Sequence, residues 1–333
     1  MKKRVLSGIR ATGRLHLGNY FGAVKGMLDL QSRSAEYETF YMVADLHTLT
    51  TPHDKETLKQ AVRDIIIDYL AVGLNPEKSA LFIQSHVPEH LELAYYFSTV
   101  ATVAKMQHLP TFKDKVKQYP ENVTMALLNY PILMASDILV YKAGLVPVGI
   151  DQEPHLEVAR EIARRMNQDF GMDFPEPKRF IDKSLPAGRQ GEYIPSLTGE
   201  GKMSKTVEGS YINLTDSLGE IKSKIAKIPT DSGQGSEILG GVKTLMEFVE
   251  LFEGKEKRNE LENQYRGKGL RYGEIKSELS ETIFAELEPI QIRRKELETN
   301  PEFVDKVIGE GAQKARRVAA RTVAEVREKM GLA

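Results

Sequence analysis

The opening stretch, residues 3–23, constrains the fold most, because a short apolar run there leads through a glycine-spaced turn into the start of a helix. Gly13, Gly18 and Gly22 would let a ligand lie close against the backbone. A strand that ends in such a turn presents free N–H groups and the positive end of a helix to an anion. The spacing matches neither G-x-G-x-x-G nor G-x-x-x-x-G-K-S/T, so it indicates neither a dinucleotide fold nor a P-loop. It predicts another kind of phosphate site, or an ordinary strand–turn–helix whose glycines only serve packing.

Composition narrows the class of protein. With 333 residues, 41% of them hydrophobic and 28% charged, the chain is typical of a soluble globular enzyme with room for two domains. The formal net charge of -1 means that any polyanion partner must be bound by local patches. The absence of cysteine excludes disulfides, thiolate metal sites and cysteine nucleophiles. No apolar run resembles a signal-peptide core or approaches the ~20 residues of a membrane span, which predicts a cytoplasmic protein without a membrane partner.

Apolar runs and helical patterns alternate along the first half of the chain. Buried parallel strands are indicated at residues 39–45, 80–84 and 145–148, and helices at residues 54–72 and about 90–106. This order predicts an α/β fold, a Rossmann-like doubly wound parallel sheet with helices on both faces. Ligands of such sheets bind beyond the carboxyl ends of the strands, where His47 and residues 149–152 join the first turn.

The rest of the chain suggests a second domain. A lysine-rich segment (residues 111–119) and a long apolar helix with a central Pro131 precede the fourth strand, so residues 91–144 are predicted as an insertion. Glycines thicken over residues 185–201, which indicates a mobile loop before the run KMSKT at residues 202–206. Beyond it the chain becomes helical and highly charged. We therefore predict a catalytic domain over 1–206 and a helical domain over 207–333, whose last helix can pack back on the first.

Two short motifs, each weak alone, together point to a family. HLGN at residues 16–19 and KMSKT at residues 202–206 resemble the HIGH and KMSKS motifs of class I aminoacyl-tRNA synthetases. The resemblance extends to the tryptophanyl-tRNA synthetases over residues 7–23, 130–139, 146–149 and 151–152. The departures are Asn19 in place of the last histidine, Thr206 in place of serine, Leu6 where an aromatic residue is expected, and Ala11 where proline is usual.

This resemblance implies an enzyme that joins L-tryptophan to ATP as tryptophanyl-adenylate and transfers it to tRNA(Trp), releasing AMP and pyrophosphate. It implies His16, Lys202 and Lys205 as catalytic residues, and Mg²⁺ held mainly by the ATP phosphates. The implied ATP-binding residues are Arg10, Ala11, Thr12, Gly18, Asn19, Gly149, Ile150, Asp151, Ile194, Lys202, Met203, Ser204, Lys205 and Thr206. The implied tryptophan-binding residues are Asp137, Gln152, Met134, Val146, Val148, Gly8, His47, Tyr130 and Leu6.

Physical chemistry supports this assignment. Adenylate formation needs positioning and neutralisation of phosphate charge more than a nucleophilic side chain, and His16 with the two lysines can supply both. Asp137 lies in an apolar helix, where an unpaired carboxylate is costly, and an indole N–H is a donor that requires an acceptor. On spacing alone, however, Asp137 could equally bond a neighbouring hydroxyl or backbone group, or face solvent.

The sequence also suggests binding partners for the chain and leaves three alternative functions open. The helical domain is predicted to bind tRNA, with Lys222, Lys224 and Lys227 either touching RNA phosphates or forming a solvated helix face. The resemblance also implies a homodimer with the insertion at its interface. The rivals are a tyrosyl-tRNA synthetase, a small nucleotidylyltransferase, which needs neither the second motif nor a helical domain, and a regulatory paralogue that has lost aminoacylation.

Overall fold

The computed structural model describes residues 2–180, 194–205, 207–235 and 237–332. A five-stranded parallel sheet has the order β3-β2-β1-β4-β5, so the chain winds outward from β1 to one edge and then returns to the other side of β1. This is a doubly wound α/β sheet, which confirms the predicted fold class, and its topological switch point lies between β1 and β4. The strands are β1 Lys3–Arg10, β2 Tyr37–Ala44, β3 Ser79–Ile83, β4 Leu145–Val146 and β5 Lys178–Arg179.

Helices cover both faces of the sheet and continue to the end of the chain. None of those in the described residues is long and apolar enough to cross a membrane. The helices are α1 Leu17–Asn19, α2 Lys25–Ser32, α3 Lys55–Ala71, α4 Glu89–Ser98, α5 Val103–His108, α6 Pro110–Gln118, α7 Met125–Leu139, α8 Glu153–Phe170, α9 Leu218–Ala226, α10 Gly240–Glu253, α11 Lys255–Arg266, α12 Tyr272–Glu298 and α13 Pro301–Lys329.

Three predicted elements differ from the structure in their bounds. The first helix is interrupted by a π-helical turn, Tyr20–Val24, between α1 and α2. The helix predicted at residues 90–106 is two helices, because the hydroxyl of Thr102 caps a new helix by accepting the Lys105 N–H at 3.4 Å. The fourth strand ends at residue 146 instead of 148, since Pro147 has no N–H to donate to the ladder.

Helix α7 brings pocket residues under the sheet. Thr124 caps it by accepting the Leu127 N–H at 3.2 Å, and Pro131 lies within it. Its apolar face is buried, with Asp137 among the buried residues. The lysine-rich segment before it forms α6, which has no buried residue and therefore keeps its lysines accessible to solvent or to a ligand.

The last helix packs on the edge strand of the sheet. A Cβ atom built on Gly311 of α13 would lie 1.7 Å from the Leu81 carbonyl oxygen of β3, so only glycine allows this approach. Ala315 and Ala319 follow on the same helix and are fully buried in the cluster that contains Phe82. The end of the chain thus contributes to the core of the sheet that begins it.

Candidate active site

A cavity of about 370 Å³ opens at the carboxyl ends of β1, β2 and β4. It lies at the switch point, where doubly wound sheets bind their ligands. The structure brings together in its wall all nine residues predicted to bind tryptophan: Leu6, Gly8, His47, Tyr130, Met134, Asp137, Val146, Val148 and Gln152. Arg10 also lines it, as do residues that the sequence did not single out, namely Ser7, Met42, Ala44, Thr50, Thr111, Lys115, Leu127, Ile138 and His155.

Asp137 is fully buried in the cavity wall and accepts hydrogen bonds from three side chains. Its Oδ2 accepts from His47 Nε2 at 2.7 Å, and its Oδ1 accepts from Gln84 Nε2 at 2.7 Å and from His90 Nδ1 at 2.5 Å. His90 is fixed in turn, because the Tyr141 hydroxyl lies 2.7 Å from its Nε2. The carboxylate bonds imidazole and amide donors, and not the hydroxyl, backbone group or solvent that its spacing left open.

These contacts explain the ionisation state of Asp137. Burial alone would raise the pKa of the carboxyl, but the charge and hydrogen bond of His47 and the hydrogen bond of His90 hold the pKa below its usual range. The group is therefore an acceptor at neutral pH. Each carboxylate oxygen has two lone pairs, so Oδ2 retains capacity for one further donor after His47.

A second polar network orients Gln152. The Nδ1–H of His155 donates to Gln152 Oε1 at 3.0 Å, while the His155 Nε2 lies 2.8 Å from the Tyr130 hydroxyl and 2.7 Å from the Thr111 hydroxyl. Burial, and then the charge of His47, lowers the pKa of His155 to about 4, so its imidazole is neutral. The Gln152 amide N–H donates onward to Asp151 Oδ2 at 2.9 Å.

His16 caps the helix that follows the first turn. Its Nδ1 accepts the Asn19 N–H at 3.3 Å, and its own backbone N–H donates to Asn19 Oδ1 at 3.3 Å. Burial, and then the charge of Lys205, lowers the pKa of His16 to about 3. A neutral imidazole whose Nδ1 is an acceptor carries its proton on Nε2. His16 can therefore donate one N–H to an anion.

The KMSKT run lies directly against this turn. The Gly18 N–H donates to Met203 Sδ at 3.2 Å, and the Met203 N–H donates to the Ile194 carbonyl at 2.8 Å. The Leu17 N–H donates to the Ile212 carbonyl at 2.9 Å, which ties the same turn to the chain beyond the motif. The two sequence motifs thus form one surface.

Arg10 and Lys115 line the cavity, Lys202 lies close enough to Lys115 to act on its charge, and Lys205 lies beside Gly13 and His16 of the first turn. Arg10 donates to the Thr51 hydroxyl at 3.2 Å, but its Nε is buried without a hydrogen-bond partner. Burial, and then the charge of Arg10, lowers the pKa of Lys115, and burial lowers that of Lys205 to about 8. Lys202 lies 3.7 Å from Asp151 Oδ2. A guanidinium nitrogen that is buried without a partner, with Lys115 beside it, is a group that an anion could pair.

The remaining predicted nucleotide residues lie in or beside the first turn, the loop before α8 and the KMSKT run, or lie outside the described residues. Ala11 and Ile194 are buried in the core, and the Thr12 N–H donates to the Arg10 carbonyl at 2.8 Å to close the turn. A Cβ on Gly149 would lie 2.5 Å from Asp151 Oδ1. The Ser204 N–H donates to the Ser210 hydroxyl at 3.2 Å. Thr206, the side chain of Ile150 and residues 185–193 of the predicted loop lie outside the described part of the chain.

Comparisons with known proteins agree with this geometry. The family model for tRNA synthetases class I (W and Y) matches residues 1–288. The tryptophan–tRNA ligase of Porphyromonas gingivalis is 41% identical, with 98% of both chains covered, and that of Fusobacterium nucleatum is 40% identical, with 99% of this chain and 98% of the relative covered.

Solved structures give the same result. Tryptophanyl-tRNA synthetase from Campylobacter jejuni, complexed with ADP and tryptophan, superposes with a TM-score of 0.85 at 32% identity over 99% of this chain and 100% of that one. The enzyme from Mycoplasma pneumoniae gives 0.84 at 31% identity over 100% and 99%. A tyrosyl-tRNA synthetase from Archaeoglobus fulgidus, at 20% identity and a TM-score of 0.67, shares the fold alone. The chain belongs to the class I tRNA synthetases for tryptophan and tyrosine, and within them to the tryptophan–tRNA ligases.

Proposed function

We propose that this chain activates L-tryptophan with ATP and charges tRNA(Trp) through a tryptophanyl-adenylate. The observation that carries the proposal is a cavity whose apolar pocket around Asp137 is also lined by Arg10 and Lys115, with Lys202 close to Lys115 and Lys205 beside the first turn. An aromatic amino acid and a polyphosphate would therefore lie side by side in it. The tyrosyl alternative is disfavoured by relatives that are tryptophan–tRNA ligases over nearly their whole length.

Tryptophan would lie with its indole between the apolar walls of the cavity. Val146 and Met134 provide such walls, and the indole N–H would donate to the remaining lone pair of Asp137 Oδ2. Tyr130 and Gln152, both bonded to His155, also line the cavity and would offer oxygen acceptors to the α-amino group. This pose puts the carboxylate toward Arg10.

The chemical step needs no protein nucleophile. A carboxylate oxygen of tryptophan attacks the α-phosphorus of ATP, the bond from that phosphorus to the bridging oxygen breaks, and pyrophosphate leaves with the electron pair. Arg10 and the Nε2–H of His16 would stabilise charge on the reacting phosphate, and Lys202 and Lys205 would neutralise the departing pyrophosphate. Lys115, which sequence reasoning noticed only as part of a basic segment, adds a further cation beside Arg10.

Mg²⁺ is assigned to the nucleotide and not to a protein site. Among the described residues no three histidine, cysteine, aspartate or glutamate side chains gather to hold a metal ion. The phosphate end of the cavity is cationic, so Mg²⁺ would be coordinated by ATP phosphate oxygens and would screen their charge.

Two further partners belong to the proposal. The helical region beyond residue 207 is assigned to tRNA, although Lys222 is paired with Glu281 at 2.8 Å and Lys224 is paired with Asp216, which favours a structural role for these two lysines. A second copy of the chain is assigned to the apolar side chains exposed on α4, α5 and α7, which are Leu91, Tyr95, Val103 and Met125. All four lie in or beside the predicted insertion. As a separate part of the proposal, we place the enzyme in the cytoplasm.

The test is amino-acid-dependent ATP–pyrophosphate exchange with tryptophan and with tyrosine, followed by tRNA charging. Exchange with tryptophan and subsequent charging of tRNA(Trp) is expected. Exchange with tyrosine alone would indicate the tyrosyl enzyme, and exchange without charging would indicate a paralogue that has lost aminoacylation. Substituted anticodon bases should lower charging and leave exchange unchanged, because both ATP motifs precede residue 207.

A further inference from the structure

A buried ion pair joins helix α12 to helix α3. Arg294 is 4% exposed, and its Nη2 lies 2.6 Å from Asp64 Oδ1, while its Nη1 bonds the Oδ1 of Asp68 and donates to the Asp64 carbonyl at 3.2 Å. Asp68 is 1% exposed. Two carboxylates and a guanidinium in such a dry environment are costly to bury, and their retention needs a reason other than stability alone.

The same carboxylates hold the phosphate-binding turn from the other side. Asp68 Oδ2 accepts the backbone N–H of Leu15 at 2.9 Å, and Asp64 Oδ2 lies 3.7 Å from the Nε of Arg14. Leu15 immediately precedes His16, so the position of the imidazole depends on where Asp68 holds this N–H. One oxygen of each carboxylate therefore faces α12 and the other faces the turn.

The pair also lies in the electrostatic environment of Lys205. The Nζ of Lys205 is 3.5 Å from the position of a Cβ on Gly13, at the base of the same turn. The charge of Lys205 lowers the pKa of His16 in the turn, and the charges of Asp68 and Asp64 on α3 raise the pKa of Lys205. The two aspartates oppose the loss of its proton caused by burial.

We propose that Asp68, held by Arg294, is a positioning residue for adenylate formation, which fixes the Leu15–His16 backbone so that the His16 Nε2–H faces the phosphates. The inference rests on the proposed function, in that it takes this turn to be the ATP cradle. A merely structural ion pair would stabilise the fold without a preference for one substrate. A positioning pair acts on ATP and spares tryptophan, whose proposed pocket around Asp137 neither Asp68 nor Arg294 lines.

The experiment measures tryptophan-dependent ATP–pyrophosphate exchange by Asp68→Asn in the full-length chain. The asparagine keeps the size of the side chain but loses the charge that holds Arg294. We expect kcat/KM for ATP to fall at least tenfold per active site while the KM for tryptophan stays within twofold. The fall of kcat/KM for ATP at high pH should begin at a lower pH than in the wild type, because Lys205 loses a carboxylate that favours its charged form.

Glu250→Gln is the control, since it removes a carboxylate that lies 2.5 Å from Arg258 between α10 and α11, away from the turn. It should leave both substrates unaffected. An unchanged kcat/KM for ATP in Asp68→Asn, or an equal loss for ATP and tryptophan, would overturn the inference. If Asp68→Asn does not fold, Arg294→Lys is measured instead, because lysine keeps the cation but cannot span both aspartates. A loss of kcat/KM confined to ATP in this variant supports the inference, and wild-type kinetics overturn it. Failure of the wild-type chain itself to exchange with tryptophan would overturn the proposed function.

Discussion

The Gly18 amide donates to the sulfur of Met203 at 3.2 Å, across 185 residues of sequence. This contact makes the first turn and the KMSKT run parts of one surface, so that His16 and Lys205 are positioned relative to each other. A substitution in either motif should therefore affect the residues of the other.

Gly18→Ala should impair ATP use by displacing His16. The added Cβ would lie 2.8 Å from His16 Cε1 and 3.4 Å from Met203 Cβ, so the first clash is with the imidazole rather than with the nucleotide. We expect kcat/KM for ATP in pyrophosphate exchange to fall at least tenfold, about 1.4 kcal/mol. Gly219→Ala is the control, because a Cβ there meets nothing within 4 Å. Unchanged ATP kinetics in Gly18→Ala would remove this turn from the nucleotide site.

His16 should remain neutral, with its proton on Nε2, across the working pH range. Its pKa is lowered to about 3, whereas an exposed imidazole titrates near 6.5. Nitrogen-15 spectra of histidine-labelled protein, assigned with the variant His16→Gln, should show an unchanged Nε2–H tautomer from pH 8 to pH 5. A resonance that titrates near pH 6 in this range would contradict the assignment of His16 as a neutral donor.

Lys205 should make kcat/KM for ATP fall at high pH, which gives the pH profile of the free enzyme an alkaline limb. Its pKa is lowered to about 8 by burial, so the fraction that is charged falls as pH rises through 8, and kcat/KM for ATP should fall with it. Lys205→Arg should remove this limb because a guanidinium stays charged. Lys205→Ala should lower the activation rate far more than tryptophan affinity, since the charge meets the departing pyrophosphate. An equal loss of activation rate and of tryptophan affinity would mean that Lys205 contributes to ground-state binding and not specifically to the transition state.

Asp137 should determine discrimination between tryptophan and phenylalanine. A site built around a substrate hydrogen bond rejects analogues that lack it by as much as roughly 10⁴–10⁵. Asp137→Ala should shrink this ratio and leave ATP affinity nearly constant, with Asp137→Asn between alanine and wild type. The alanine variant should also unfold at lower temperature, since Gln84 and His90 lose their buried acceptor, at about 1–3 kcal/mol for each unsatisfied donor. An intact ratio in pyrophosphate exchange would make Asp137 purely structural.

Tyr95→Glu should convert the proposed dimer to a monomer. Tyr95 is 73% exposed on α4 and stands with other exposed apolar side chains, where a second copy would bury it. Sedimentation velocity should show the change in mass. Ile292→Glu is the matched control, because Ile292 is 54% exposed on α12, outside the proposed interface, and should leave the mass unchanged. A wild-type chain that sediments as a monomer would contradict the proposal directly.

The sequence predicts the sheet because its signals are local, whereas the tryptophan-binding residues were implied only by the family resemblance. Apolar runs identify β2 and β3 without knowledge of the tertiary structure, and the carboxyl-end rule then placed His47 beside the first turn. Gln84 and His90 escaped notice because their bonds to Asp137 depend on how β3 and α4 pack against α7. No pattern along the chain encodes that packing.

The same limit applies to Asp68 and Lys115. Asp68 occupies a helical position like any other, and its bond to Leu15 arises only once α3 lies under the first turn. Lys115 was visible as a charge, but its place beside Arg10 follows from the path of α6 over the cavity. Polar contacts between distant elements carry no periodicity and so leave no trace in a single sequence.

The close packing of Gly311 against the Leu81 carbonyl has a consequence for the synthesis of the protein. Strand β3 is an edge of the sheet, and the helix that covers it, Pro301–Lys329, follows it far along the chain and is therefore synthesised much later. Until residues 301–329 emerge, the nascent chain carries an open strand edge that can pair with other chains. We therefore expect a translation product that stops before this helix to retain both ATP motifs and yet to be captured by chaperones and proteases.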